Sequence, residues 1–231
     1  MPIHKYFVQE NARRAEIDEF LSQDLKRAGY SKVEMTKTPL GTRVVVYAAK
    51  PGLVIGRRGE SIRDLTQVLE QKFGVQNPQI SVATLEAPEL DAKVVASQIA
   101  MALQRGIHFR RAAYWALQRT IEAGALGVEI VIRGKLSTDR ARYEKYKAGY
   151  LPSVGEAIGN LVRFAVVDTQ LKQGLFGIRV RLMPPHVVLP DKPSIREVPV
   201  SPAEPKQVVS QAIAETGTVK EVPEPAHTEE A

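Results

Sequence analysis

The sequence contains no cysteine among its 231 residues. This absence excludes a disulfide framework and any metal site built on thiolates, and it fits a reducing compartment. Histidine is scarce, with four residues scattered at positions 4, 108, 186 and 227, and the chain also lacks clustered carboxylates and a phosphate-cradling Gly-x-x-x-x-Gly-Lys loop. Because no constellation of nucleophile, base or metal ligands is present, we expect a protein that is not an enzyme and that uses no metal or cofactor.

Long apolar runs are missing as well. No stretch approaches the roughly 18 apolar residues of a membrane-spanning helix. The first residues lead into a charged, helix-patterned segment rather than the apolar core of a signal peptide. The sequence therefore predicts a cytoplasmic, soluble protein without a membrane partner.

Residues 190–231 differ in composition from the rest of the chain. They contain no aromatic residue but seven of the 15 prolines, so they cannot bury enough surface to offset the entropy of ordering, and we predict a disordered tail. This tail has four Lys or Arg against eight Asp or Glu, which leaves a formal charge of +10 on residues 1–189 although the whole chain carries +6. A basic body of this kind suits a polyanionic partner.

Residues 54–62 read Val-Ile-Gly-Arg-Arg-Gly-Glu-Ser-Ile, a Gly-x-x-Gly turn that carries two arginines. The glycines let the backbone approach a sugar-phosphate chain closely, and guanidinium forks bind phosphate in a bidentate manner. A β-branched segment precedes the turn and an amphipathic helical pattern follows it, which is the setting of the loop with which a KH domain clamps about four nucleotides. The alternative is an ordinary strand-to-helix turn with surface arginines. On the first interpretation the RNA-binding residues are Gly56, Arg57, Arg58, Gly59, Ser61 and Arg63.

The hydrophobic pattern predicts two structured units. In the first, a helix ends at Gly29, strands follow near Val33 and over Arg43–Ala49, two helices flank the loop, and a last strand covers Gln79–Thr84. The order helix, strand, strand, helix, helix, strand is that of a type II KH domain.

The second unit begins with a helix at Pro88–Asp91 and continues with a helix from Phe109 whose buried stripe runs to Ile121. Alternating segments predict strands at Val128–Arg133, Asn160–Asp168 and Leu175–Met183. The predicted fold class is α+β, with a type II KH domain at 1–87, a second α/β domain of two helices and a small, mainly antiparallel sheet at 88–189, and the tail at 190–231.

A second basic constellation lies between residues 133 and 147, where six cations are interleaved with Tyr143 and Tyr146. Cations neutralise phosphates, and tyrosine rings stack on unpaired bases for about 1–3 kcal/mol each. The alternative is a solvated hairpin loop with ordinary surface charge. The RNA-binding candidates are Arg133, Lys135, Arg140, Arg142, Lys145 and Lys147.

Arg110 and Arg111 stand at the start of the second helix of this unit. Helical spacing places Arg111, Trp115 and Arg119 on one face, away from the core stripe. Two interpretations of Trp115 stay open, because it either awaits a partner on this face or packs under the neighbouring helix.

Taken together, the segments 54–62, 109–112, 127–136 and 173–180 resemble, in this order and over both units, the small-subunit ribosomal protein three (S three) family in its archaeal or eukaryotic-type form. The resemblance implies a place in the head of the small subunit at the mRNA entry channel, with ribosomal RNA, mRNA and neighbouring head proteins as partners. In bacterial relatives the protein also helps to open mRNA secondary structure. The residues tied to this role match at Arg110 and Arg111, but a third basic position falls on Tyr114, which puts the unwinding role in doubt or moves it onto nearby cations.

Two other classes of function compete with a ribosomal one. A free KH regulator of single-stranded RNA is disfavoured by the second domain and by the basic segment 133–147, which we predict to be a long loop, because such regulators more often repeat KH units on flexible linkers. An enzyme is disfavoured by the missing catalytic constellation.

Overall fold

The computed structural model describes residues 3–187. Residues 190–231, for which we predict a disordered tail, lie outside the described residues. Within the described part, the chain forms a mixed α+β fold with two sheets, one of three strands and one of four. The predicted fold class is confirmed.

The first sheet belongs to the KH unit. In chain order its elements are α1 (Ile3–Asp24), β1 (Tyr30–Thr38), β2 (Gly41–Ala48), α2 (Pro51–Ile55), α3 (Glu60–Phe73) and β3 (Pro78–Thr84), with short 3₁₀ turns at Lys26–Ala28 and Arg57–Gly59. Strand β1 pairs with β2 in antiparallel register and β2 pairs with β3 in parallel register. The order of elements is the one that the hydrophobic pattern predicts.

The KH core is built from side chains that recur at helical and strand spacing. Ile17 and Leu21 of α1, Val44 and Val46 of β2, and Leu69 of α3 are almost completely buried in one cluster. Burying an aliphatic side chain stabilises the fold by about 1.5–3 kcal/mol. These contacts hold α2 and α3, and the turn between them, against the sheet.

The second unit contains four strands and the helices that cover them. Its elements are α4 (Ala92–Gln104), α5 (Phe109–Glu122), β4 (Gly127–Gly134), β5 (Arg142–Gly149), α6 (Ala157–Asn160), β6 (Arg163–Leu171) and β7 (Gly174–Met183), preceded by a 3₁₀ turn at Pro88–Leu90. The strands pair throughout in antiparallel fashion in the order β5-β4-β7-β6. Helix α5 packs on β4 and β5, whereas α4 packs on β6 and β7, so both helices cover the same face of the sheet.

Strand β5 corrects the expectation of a long basic loop. The segment predicted as a loop contains an edge strand, Arg142–Gly149, paired with β4 along its whole length. The apolar alternation that reveals a half-buried strand is weak here, because charged residues occupy both faces of β5. Charged residues are common on edge strands, where they discourage pairing with another chain.

Three local predictions were also wrong. The second unit's first helix begins at Ala92 rather than Pro88, because the Asp91 carboxylate accepts a hydrogen bond from the Lys93 N–H at 3.0 Å and caps it. Strand β6 begins at Arg163, since residues 157–160 form a short helix. Ile121 is 41% exposed, because α5 buries a narrower stripe that ends at Thr120.

A polar cluster connects the KH unit to α4. The Tyr30 hydroxyl donates to the Asp18 carboxylate, and the Lys93 ammonium lies 3.4 Å from the same carboxylate and 4.4 Å from the Tyr30 ring centroid. Tyr30 is buried, so its hydroxyl needs this acceptor. The cluster therefore holds α1 and β1 against the start of α4.

No helix in residues 3–187 is both long enough and apolar enough to cross a membrane.

Candidate nucleic-acid interface

The Gly-x-x-Gly turn adopts a conformation that depends on its glycines. Gly56 has φ 72° and ψ −178°, and Gly59 has φ 77°. A Cβ on Gly56 would come within 2.1 Å of the Ser61 Oγ, whereas a Cβ on Gly59 would meet nothing within 4 Å. Gly56 is therefore required for both conformation and space, and Ser61 fills the room that the missing side chain leaves.

The turn presents its arginines to solvent. Arg57 and Arg58 are exposed, and Arg58 adopts a left-handed conformation with φ 55°. Neither guanidinium forms an ion pair or a hydrogen bond with any described residue, and the same holds for exposed Arg63 on α3. A left-handed conformation at a residue other than glycine costs about 1–2 kcal/mol of folding free energy. We expect that this cost is tolerated because the conformation sets the direction of the Arg58 side chain.

Apolar side chains lie beside these cations. Leu53 is 54% exposed and Ile55 is 40% exposed, although Val54 between them is completely buried. The surface around the turn therefore combines apolar area with guanidinium groups that have no partner in the described part of the chain. That combination suits a ligand with phosphates and flat bases.

The two arginines at the start of α5 have different environments. Arg110 forms a bidentate ion pair with Glu144 of β5, in which two guanidinium nitrogens donate to the two carboxylate oxygens at 3.0 and 3.3 Å. Arg111 has no ion pair or hydrogen bond among the described residues. Sequence spacing alone cannot distinguish the two, because the partner of Arg110 lies 34 residues away.

Glu144 is the centre of a small network. The Tyr146 hydroxyl also donates to its carboxylate, and the Tyr114 ring packs edge-on against the Tyr146 ring at 5.2 Å. The Arg110 guanidinium lowers the pKa of Glu144, and the Tyr146 hydroxyl lowers it further. A lowered pKa keeps the carboxylate ionised and the ion pair intact at neutral pH; the pair's contribution to stability is lost only as the pH falls through this lowered value.

The outer face of α5 carries Trp115 and Arg119. Trp115 is 45% exposed, which favours the interpretation of an exposed ring over one packed under the neighbouring helix. The Arg119 guanidinium lies 4.9 Å from the ring centroid and 2.7 Å from a Glu89 carboxylate oxygen. Of the three arginines of α5, only Arg111 is therefore without a carboxylate partner in the described part of the chain.

Strand β5 separates the predicted basic cluster into three groups. Arg142 shares its face with Glu144 and Tyr146, on the side of α5, whereas Lys145 and Lys147 point to the opposite face. Arg133 of β4 lies on that opposite face too, because it is paired with Tyr143. The exposed residues Lys135 and Arg140 belong to the connection between the two strands.

The structure does not join all candidates into one site. Arg110 approaches β5 through Glu144, but within residues 3–187 no hydrogen bond, ion pair or aromatic contact connects the Gly-x-x-Gly turn to the second unit's basic residues. The described residues also contain no group of three or more His, Cys, Asp or Glu arranged to hold a metal ion.

Comparisons with known proteins match both units. Residues 16–90 match the model described as KH domain, and residues 99–182 match the model described as ribosomal protein S3, C-terminal domain. The chain is 47% identical over 209 residues to small ribosomal subunit protein uS3 of Methanocaldococcus jannaschii, covering 90% of this chain and 99% of that protein. It is 44% identical over 202 residues to the protein of the same name from Saccharolobus solfataricus, covering 87% of this chain and 88% of the relative. Because these similarities extend over both units at such identity, the chain belongs to the uS3 family of small ribosomal subunit proteins.

Proposed function

We propose that this protein is a structural constituent of the head of the small ribosomal subunit, where it binds ribosomal RNA and contacts mRNA at the entry channel in the cytoplasm. The observation that carries the proposal is the similarity to proteins named small ribosomal subunit protein uS3 over nearly the whole length of both chains. The prediction that the chain is not an enzyme agrees with this family. The basic body supports RNA as the main partner.

The domain boundaries of this proposal are 1–87 for the KH domain, 88–189 for the second domain and 190–231 for the tail. The matched ranges 16–90 and 99–182 lie largely on either side of the first boundary, which supports it.

The proposal gives the Gly-x-x-Gly turn the role of an RNA clamp. Arg57, Arg58 and Arg63 have no intramolecular partner among the described residues, so they bind phosphate without first breaking an ion pair. The exposed side chains Leu53 and Ile55 offer apolar contact to bases. Gly56, Gly59 and Ser61 shape the turn rather than contact the ligand through charge.

In this proposal Arg111 makes the main contact with the phosphates of incoming mRNA. Its neighbour Arg110 is occupied by Glu144, and Tyr114, at the third basic position of the bacterial pattern, packs against Tyr146. Two of the three positions that the resemblance links to unwinding are therefore weakened as phosphate contacts. Cations of the β4–β5 hairpin, such as Lys135, Arg140 and Arg142, are the candidates to replace them.

The substitution Glu144→Gln should strengthen RNA binding, because it releases Arg110. One additional phosphate contact raises the affinity about fivefold at 0.1 M salt and steepens the dependence of log K on log salt by about 0.7 for single-stranded RNA. Filter binding of a single-stranded RNA over a series of KCl concentrations measures both quantities.

Glu122→Gln is the matched control. It also removes one negative charge, but at the C-terminal end of α5, whereas Arg110 and its partner Glu144 lie at the N-terminal end. Glu122 accepts a hydrogen bond from Gln118 and pairs with no arginine among the described residues. The double variant Arg110→Gln, Glu144→Gln should lose the gain. If Glu122→Gln strengthens binding as much as Glu144→Gln does, the effect is a general one of net charge and Arg110 is not restrained.

Sedimentation distinguishes the ribosomal proposal from a free KH regulator. The proposal expects the protein in small-subunit fractions at close to one copy per subunit, even after washing at a salt concentration that removes loosely bound factors. A free regulator would remain in light fractions, and that distribution would overturn the proposal.

A further inference from the structure

The four-stranded sheet has one face that helices α4 and α5 leave uncovered. At one end of this face, Met183 is buried in a cluster with Leu151 and Val162. Helices α4 and α5 cover the side of Val128, Ile130 and Ile132. On the opposite side, Phe164 is 58% exposed and Tyr143 is 69% exposed. We call this second surface the open face.

The open face is strongly basic, and strand register arranges its charges in rows. Lys147, Glu129 and Arg181 lie side by side on β5, β4 and β7, and the next row contains Lys145, Val131 and Arg179. A third row adds Arg133 of β4, between Tyr143 of β5 and Gly177 of β7. The five cations outnumber the two carboxylates of these rows, Glu129 and Asp168.

Glu129 organises these cations. It is one of the few buried polar residues of the described chain, with 7% exposure, although it lies on the open face. Lys145 approaches one of its oxygens at 2.8 Å, and Arg181 approaches the other at 4.0 Å. A buried carboxylate is stable only when paired, so Glu129 holds cations from both neighbouring strands over the middle of the sheet.

Phe164 completes the surface at the β6 edge. Its register partner is Arg181, and the guanidinium of Arg179 lies 5.9 Å from its ring centroid. An exposed aromatic ring beside fixed guanidinium groups is the arrangement that stacks a base while the cations neutralise its phosphate. Tyr143 offers a second ring at the opposite edge of the sheet.

We infer that the open face is a second RNA-binding surface, which takes an unpaired RNA segment with phosphates over the cation rows and a base stacked on Phe164. The inference rests on the proposed RNA-binding function and adds Phe164, Arg179 and Arg181 to it. The excess of positive charge favours RNA over a protein partner, because protein interface cores are depleted of charged residues.

The test uses the full chain and a ten-nucleotide single-stranded RNA, with affinity measured over a series of KCl concentrations. Phe164→Leu keeps the apolar bulk but removes the ring, so it should weaken binding about fivefold or more without changing the salt slope. Phe164→Tyr should retain the affinity of the original chain. Arg179→Gln should lower the slope by about 0.7.

Two control variants match these changes. Phe7→Leu alters a ring that is also 58% exposed, on α1, and Arg105→Gln removes an exposed guanidinium at the end of α4, on the covered side of the sheet. Both should leave affinity and slope unchanged. Thermal unfolding of each variant shows whether the fold is intact, and the comparison of Leu with Tyr at position 164 separates stacking from packing.

The outcomes distinguish this inference from the proposed function. If Arg57→Asp with Arg58→Asp weakens binding while Phe164→Leu and Arg179→Gln do not, the open face is not an RNA site and the function stands. If the same two open-face variants instead reduce incorporation into small subunits without altering RNA affinity, a protein covers this face and the inference is wrong. If the unmodified chain does not bind RNA, both fail.

Discussion

Replacing Gly56 with alanine is expected to destabilise the protein by about 2–4 kcal/mol, the largest effect of any single substitution in the loop. The backbone at φ 72° and ψ −178° lies in a region that is almost restricted to glycine. The added Cβ would also come within 2.1 Å of the Ser61 Oγ and 2.7 Å of its Cβ, so the start of α3 has to move. Urea unfolding measures the loss of stability, and RNA binding should weaken along with it.

Alanine substitutions of two neighbouring glycines serve as controls, and the second introduces more backbone strain than the first. Gly52→Ala, within the short helix α2, places a Cβ in open space at an ordinary φ and should change the free energy of unfolding by no more than about 0.5 kcal/mol. Gly59→Ala has room for its Cβ but a φ of 77°, so a cost of about 1–2 kcal/mol is expected. If Gly56→Ala is no more damaging than Gly59→Ala, the close contact with Ser61 does not shape the turn.

Replacing both Arg57 and Arg58 with aspartate is expected to weaken RNA binding on the order of 25-fold at 0.1 M salt and to lower the salt slope by about 1.4, the loss of two phosphate contacts. Repulsion by the new carboxylates adds to this loss. Both side chains are exposed and have no partner within residues 3–187, so the fold should remain intact. Filter binding with parallel urea unfolding separates the two effects.

Arg13→Asp with Arg14→Asp is the matched control for net charge. These adjacent arginines are exposed on α1 and line a groove with residues 73–77, at the end of α3 opposite to the turn. A helix of 14 residues places them about 20 Å away. Arg14 also pairs with Glu10 at 3.1 Å, so urea unfolding of this control shows whether the lost contact affects the fold. Equal loss of affinity in both double variants would mean that RNA responds to total charge, and the turn would lose its special role.

Much of the fold was predictable because the core residues follow simple periods. Ile17 and Leu21 mark one face of α1, Leu25 follows directly after the helix at the same spacing, and all three are buried. In β7, Ile178 and Val180 are completely buried while Arg179 between them points to the open face, as alternation requires. In both cases the apolar residues recur at the spacing of the element, because one face of the helix or strand packs on the core and the other does not.

Strand β5 and the start of α4 were not predicted correctly from the sequence. In the first, charged residues obscure the alternation of apolar side chains, and in the second a single side chain determines where the helix begins. Strand β5 carries Tyr146 as its one buried side chain, so its alternation was not detectable. The start of α4 depends on the capping carboxylate of Asp91, a contact that competes locally with the helix-favouring Pro88.

The residues of the candidate site could be predicted from the sequence, but their partners in the folded structure could not. Arg110 and Arg111 are equivalent in sequence, yet only Arg110 meets Glu144. The division of the basic segment between two faces of β5, and the pairing of Lys145 with Glu129, also depend on contacts between distant residues. Such pairings are properties of the tertiary structure.

A position-resolved map of crosslinks between this chain and RNA in assembled small subunits, obtained by mass spectrometry of crosslinked peptides, would show which residues contact RNA. We expect crosslinks at residues 57–63, at Arg111 and within 133–147, with mRNA contributing those at Arg111. A map in which residues 57–63, Arg111 and residues 133–147 are all free of RNA, and crosslinks fall on other surfaces of the chain instead, would show that these residues do not bind RNA.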